Sequence, residues 1–213
     1  VEHTQKFCDE FDLTLHMCDP TRIFVETIRS VFFTLGGPER VRFYSPDFGS
    51  IGRALTIAKV FGTCVIGTPK RRINGRVSTI DDPDFIRLVQ EKYGPDAPVS
   101  CEVEDLKGFH IIAREDELNS GGTATKTASR LRKHGAESVR FLVTHGVCSW
   151  GWKMQMFPWG EPQPFETIWM GNTRPRGTYE TKYEGSTGGK VIEVDLAPAI
   201  AETLIGVLNQ LTD

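Results

Sequence analysis

No apolar run in the chain approaches the roughly 20 residues of a membrane-spanning helix, so a membrane span is not expected. Charge imbalance is also missing. A net charge of -3 offers no electrostatic footprint for nucleic acid or an acidic membrane surface. Cys8, Cys18, Cys64, Cys101 and Cys148 are odd in number and scattered, and no Cys-x-x-Cys pair occurs. That pattern indicates neither a zinc site nor a disulfide framework, and it suits reduced thiols in a cytoplasmic protein. His16, His110 and His134 lack partners at metal-ligand spacing and read as structural or exposed. There is no internal repeat, and the chain opens at Val1 rather than at an initiator Met, which suggests missing upstream sequence.

What is present is an alternation of apolar strands and amphipathic helices. Asp19-Pro20 followed by Ile23, Phe24, Ile28, Val31 and Phe32 predicts a helix closed by Gly36-Gly37-Pro38. Strands are expected at 41–44, 64–66, 109–113, 139–144, 165–170 and 191–194, and helices at 53–61, 123–133 and 198–211. Strands alternating with helices imply right-handed crossovers, hence an α/β fold built on a doubly wound, mainly parallel sheet. Ligands of such sheets sit at the C-terminal ends of the strands. Residues 69–107 depart from this pattern. They are polar and hold several Pro and Gly residues with one helix near Asp84–Tyr93, which suggests a long lid.

Two strand-to-helix turns could carry chemistry. In the first, Glu115-Asp116-Glu117-Leu118-Asn119-Ser120-Gly121-Gly122-Thr123, small residues allow close backbone approach and a helix N-terminus can receive phosphate. Its acidic groups can accept hydrogen bonds from ribose hydroxyls. The same letters also suit an ordinary capped helix after a Gly-rich turn. The second turn, Ser45-Pro46-Asp47-Phe48-Gly49-Ser50, offers backbone amides to a pyrophosphate and Asp47 to a Mg²⁺ ion. Lys70-Arg71-Arg72 is either a solvated charge run or a cationic cluster that closes over a polyphosphate.

Together these segments resemble the ribose-phosphate pyrophosphokinases over nearly the whole chain and in the family's order. Asp47, Phe48, Gly49 and Ser50 fall on the family's pyrophosphate-binding turn, with Phe48 where a small residue is usual. Lys70 and Arg72 fall on its catalytic Lys-x-Arg loop. Glu115, Asp116, Asn119, Ser120, Gly121, Gly122 and Thr123 fall on its ribose 5-phosphate loop. Thr144-His145-Gly146 and Asn172-Thr173 match family turns at later strand ends. His3 and Phe11-Asp12 resemble the stretch after the family's metal-binding His.

The resemblance implies a fold of the type I phosphoribosyltransferase kind. Residues 1–19 would be a remnant of a preceding domain and 20–213 the C-terminal catalytic domain. It implies Mg²⁺, bound through His3 and Asp47, ATP and a ribose 5-phosphate-type substrate as partners, and a homo-oligomer. Lys70 and Arg72 would neutralise the transferring diphosphoryl group.

Departures accompany the likeness. The family's N-terminal half has no counterpart, Asn119 and Glu115 replace Asp, and an aromatic insertion with Trp150, Trp152, Phe157 and Trp159 follows His145. These aromatics suit packing, an oligomer contact, or stacking against a larger acceptor such as ADP-ribose. A phosphoribosyltransferase and a non-catalytic regulatory subunit remain as alternatives.

Overall fold

The computed structural model describes residues 2–46, 48, 50–67, 70–73, 76–79, 82–100, 105–158, 160–174 and 190–212. Helices α1 (Glu2–Glu10) and α2 (Thr21–Thr34) precede strand β1 (Val41–Ser45) and helix α3 (Ile51–Phe61). Strand β2 (Val65–Gly67), hairpin strands β3 (Lys70–Ile73) and β4 (Arg76–Thr79), helix α4 (Asp82–Tyr93) and strand β5 (Val99–Ser100) follow. The second half holds β6 (His110–Leu118), α5 (Gly122–Lys133), β7 (Ser138–Gly146), α6 (Trp152–Met156), β8 (Thr167–Gly171), β9 (Val191–Val194) and α7 (Ala197–Thr212).

Seven strands form one sheet in the order β5-β2-β1-β6-β7-β8-β9, and every pairing in it is parallel. From β1 the chain first steps outward through β2 and β5, then returns to the other side of β1 with β6. The crevice between β1 and β6 is therefore the topological switch point, where open α/β sheets place their ligands. The two turns singled out above leave these two neighbouring strands.

Both faces are covered because successive strand residues point to opposite sides. Ile112 and Phe43 join Phe24, Ile28 and Phe32 of α2, Ala54 and Ile57 of α3, and Phe85 and Val89 of α4 on one face. Ile111, Ala113, Val139 and Phe141 join Ala124, Ala128 and Leu131 of α5 and Trp152 and Met156 of α6 on the other. Phe32, fully buried, stacks on Phe61 with ring centroids 4.3 Å apart. Burying such a side chain contributes about 1.5–3 kcal/mol.

The segment after Pro69 carries more regular structure than its composition announces. Its helix is anchored, since Phe85 and Val89 are fully buried, and β5 extends the main sheet beside β2. Gly67 is required here: a β-carbon on it would stand 2.1 Å from Cζ of Phe85. The antiparallel pair β3–β4 forms a separate two-stranded sheet.

Candidate functional site

Strand β6 is longer than its apolar stretch. It continues through Arg114, Glu115, Asp116, Glu117 and Leu118, because parallel pairing with β7 runs on to Glu117 opposite His145 and Leu118 opposite Gly146. The acidic residues thus stand on the strand end, and the loop proper begins at Asn119. Glu115 and Asp116, as strand neighbours, face opposite sides of the sheet.

On the α3 side, Arg53 in the first turn of α3 donates to Oδ2 of Asp116 and forms an ion pair with it. This contact joins the turn after β1 to the end of β6 across the switch point. The other oxygen of Asp116, Oδ1, is buried and has no hydrogen-bond partner. Beneath it lies Arg114, only 2% exposed, with its guanidinium 4.9 Å from the centroid of the Phe24 ring. Arg114 Nη1 donates to the Leu142 carbonyl at 3.2 Å and Nη2 to Thr144 Oγ1 at 2.6 Å, while Nε has no partner. Burial lowers its pKa to about 10, against the opposing pull of Asp116 and Glu115 and with the repulsion of Arg53. A buried charge of this kind is tolerable only with such hydrogen bonds and counter-charges.

The turn after β1 is braced by side chains. Ser45 and Ser50, both buried, share a hydrogen bond of 2.6 Å. Phe48 packs edge-on against Phe85 of α4 at 6.2 Å, and the Lys92 ammonium lies 5.7 Å from its ring centroid. The aromatic ring at this position therefore ties the turn to α4. Asp47 and Gly49 lie outside the described residues.

The turn after β6 is shaped by backbone. Gly121 adopts φ 81°, in the left-handed region that favours glycine, and a β-carbon there would meet Cγ of Met156 at 2.3 Å. Gly122, the first residue of α5, is different. A β-carbon on it would have Ser120 Oγ and Gln155 as nearest neighbours, at 3.8 and 3.9 Å. A small pocket of about 100 Å³ opens here, lined by Glu115, Glu117, Asn119, Ser120, Gly121 and Thr123. The α5 N-terminus adds its unpaired amides and positive dipole end, which favour an anion.

At the next strand ends the two family-like turns meet. His145 Nδ1 and Thr173 Oγ1 share a hydrogen bond of 2.9 Å. Asn172 donates to Asp195 at 2.8 Å and accepts from the Leu196 amide at 2.9 Å. The Ala197 backbone N–H and the Asn172 amide hold the Asp195 carboxyl below the ordinary carboxylate range. Asn172 thus fastens the end of β8 to the start of α7.

The aromatic insertion folds back over the turn after β6. Cys148 N donates to Leu118 O at 2.8 Å and Ser149 N to Asn119 O at 3.2 Å. Trp152 and Met156 are buried beneath it, whereas Trp150 is 91% exposed. Trp159 lies outside the described residues. A larger cavity of about 480 Å³ opens at the opposite end of the strands, between Pro38, Arg42, Thr63 and Pro98. We place the site at the smaller pocket. The larger one lies at the N-terminal ends of the strands, and Arg42 there is already bonded to Pro38 O and Thr63 Oγ1.

Of the residues named from sequence, Glu115, Asp116, Asn119, Ser120, Gly121, Gly122 and Thr123 gather on one strand end and helix start, with Phe48 and Ser50 on the neighbouring turn. The side chains of His3, Lys70 and Arg72 lie outside those described. Arg53 and Arg114 were missed. Nothing local marks them, because their partners come from distant strands. Among the described residues no group of three or more His, Cys, Asp and Glu side chains gathers as a metal cage. Mg²⁺ needs less than that, since it commonly takes one or two carboxylates and completes its shell with water and substrate phosphates. The unpartnered Oδ1 of Asp116 fits such a role, or that of a ribose hydroxyl acceptor.

The fold and the turns define the class: a doubly wound parallel α/β domain with anion-type turns at its switch point. No family model matches the chain. The ribose-phosphate pyrophosphokinase of Hyphomonas neptunium is 33% identical over 116 residues, covering 53% of this chain and 30% of that protein. That of Caulobacter vibrioides (strain NA1000 / CB15N) is 29% identical over 140 residues, 65% of this chain and 38% of that protein. That of Ralstonia nicotianae is 22% identical over 207 residues, 97% and 55% respectively. The chain is thus similar in sequence to ribose-phosphate pyrophosphokinases, and it spans about half the length, or less, of these curated relatives. The solved phosphoribosylpyrophosphate synthetase of Mycobacterium smegmatis shares the fold, with a TM-score of 0.60 at 19% identity over 90% of this chain and 51% of that one.

Proposed function

We propose that this chain carries the sugar-phosphate and diphosphoryl-transfer part of a ribose-phosphate pyrophosphokinase. In this reading the anomeric hydroxyl oxygen of ribose 5-phosphate attacks the β-phosphorus of ATP. A bond forms between that oxygen and the β-phosphorus, the bond to the α,β-bridging oxygen breaks, AMP leaves, and the hydroxyl proton passes to solvent. No protein nucleophile is needed, because positioning and charge neutralisation carry such transfers.

The observation that supports this reading best is the joining of two anion-type turns on adjacent parallel strands by Arg53 and Asp116. The 5-phosphate would sit on the amides of Asn119–Thr123 at the start of α5, and Asp116 and Glu115 would accept from the ribose hydroxyls. The turn ending at Ser50 would hold the diphosphoryl group, with Lys70 and Arg72 closing over it from the β3 hairpin strand. Mg²⁺, held by Asp47, His3 and the phosphate oxygens, would neutralise charge on the transferring group when bound. The two acidic residues would meet a ribose from opposite faces of the strand end.

The test is a product assay by mass with ATP, Mg²⁺ and ribose 5-phosphate, on the wild type and on Lys70→Ala and Arg72→Ala. Each variant is expected to keep its fold and lose a factor of about 10² or more in turnover, as for other preorganised transition-state partners. Near-normal turnover in both folded variants would rule out these roles.

A further inference from the structure

Resting on that reading of the phosphate loop, we infer that Trp150 forms an aromatic subsite for a base carried beyond the 5-phosphate, so that the acceptor class is a 5-phosphoribosyl compound extended by a nucleotide. The other described aromatics of the insertion are packed. Trp152 is 8% and Met156 0% exposed, and Phe157 lies edge-on to both Trp152 and Phe165, at 6.1 and 5.5 Å. Trp150 alone among the described tryptophans is left in solvent, 91% exposed, with Met154 of the same insertion 69% exposed. An indole held out of a packed segment forgoes a large hydrophobic gain.

Its place makes it useful. The neighbouring Ser149 donates its backbone N–H to the Asn119 carbonyl at 3.2 Å. With about 3.8 Å between consecutive Cα atoms, the Trp150 backbone lies within about 9 Å of that carbonyl. This is the length scale on which a second phosphate and ribose carry a base away from a 5-phosphate. The backbone that holds the indole there is unusual, with Cys148 at φ 48° and Gly151 at φ 88° on either side. Cys148 is a non-glycine residue in the left-handed region, where its β-carbon is crowded by the following carbonyl. The pocket beside Asn119 is small, at about 100 Å³, and Met156 and Gln155 of the insertion stand close to Gly121 and Gly122 beside it.

Titration calorimetry of the chain with ribose 5-phosphate, with ADP-ribose as the extended probe and with AMP as a control lacking the acceptor ribose tests the inference. In the wild type ADP-ribose is expected to bind about 5- to 100-fold more tightly than ribose 5-phosphate, the range of one base–aromatic stack. Trp150→Ala should erase that advantage while leaving ribose 5-phosphate affinity unchanged, and Trp150→Phe should keep most of it. Equal affinities in the wild type, or an advantage retained in Trp150→Ala, would overturn the inference and leave the proposed function standing. Binding of neither phosphoribosyl ligand would remove the proposed function and the inference with it. A Trp150→Ala variant that changes only the sedimentation of the chain would assign the indole to a contact between copies instead.

Discussion

The turn after β1 and the turn after β6 leave neighbouring strands, open helices of similar length, and suit similar anions, yet they are held in different ways. The first is held by side chains: the buried Ser45–Ser50 pair, the Phe48 ring on Phe85, and Arg53 reaching to Asp116. The second is held by backbone and by close packing, with Gly121 at φ 81° lying against Met156 of the insertion. A turn braced by side chains can be retuned by single substitutions. A turn set by a glycine under a packed side chain tolerates almost none at that position.

The largest effect should come from the second turn. Gly121→Val combines a left-handed backbone with a β-carbon 2.3 Å from Met156, and it should cost about 3 kcal/mol or more by denaturant melts. Loss of ligand binding in that variant therefore reports on the fold. Gly122→Ala is the informative counterpart. Its β-carbon has no neighbour closer than 3.8 Å, and inside a helix the change should be neutral or stabilising by up to about 1 kcal/mol. If phosphate sits on the α5 amides, calorimetry should show Gly122→Ala weakening ribose 5-phosphate while the melts stay unchanged. Equal melts for the two variants would erase the contrast between the turns.

A smaller effect is expected where the two turns meet. Arg53 and Asp116 are each more than a third exposed, so Asp116→Asn should change stability by less than about 1 kcal/mol. Its effect on binding should be opposite on the two sides. Freed from its partner, Arg53 should tighten inorganic pyrophosphate several-fold, while loss of the carboxylate weakens ribose 5-phosphate by about ten-fold. Affinities moving together would show that the ion pair does not connect two separate subsites.

The smallest effect lies away from both turns. At the opposite end of β6, burial first, then Arg140 and Arg40, hold His110 below the usual imidazole value of 6.5. Arg140 and the His110 ring share Ser138 Oγ, and Glu137 and Glu166 offset the shift in part. A folded pKa below the unfolded one means that the unfolded chain binds the extra proton first. The contribution of neutral His110 is therefore complete above about pH 6.5 and fades as pH falls through the folded value. Melts of His110→Gln should show a shallower acid slope in that window than the wild type. An identical slope would place the acid sensitivity elsewhere.

Much of this organisation is legible in the letters. Apolar periodicity places α2, β1 and α3, and Val191–Val194 is a strand as read. Gly62, at φ 65°, caps α3. Legibility fails where long-range partners decide. Charged residues after Ala113 read as loop, yet pairing with β7 keeps them in the strand. Arg114 carries no local mark of burial, yet it lies buried, because Leu142, Thr144 and Phe24 supply what solvent would have supplied. The polar stretch after Pro69 conceals a hairpin and a sheet edge whose partners are equally remote or self-paired. Helix α1, rich in charge and short, has no apolar stripe strong enough to announce it.

The strand order has a kinetic consequence as well. Strand β1 can pair early with β2, but its other neighbour, β6, starts at His110, after the whole hairpin and α4 have been made. Closing so long a loop is an entropic cost that must be met before the parallel pairing returns any stabilisation, and topologies rich in such contacts fold slowly. The Arg53–Asp116 pair spans that same junction. Formation of the site should therefore be among the last events of refolding, and recovery of ligand binding should lag behind the recovery of helical signal in the first half of the chain.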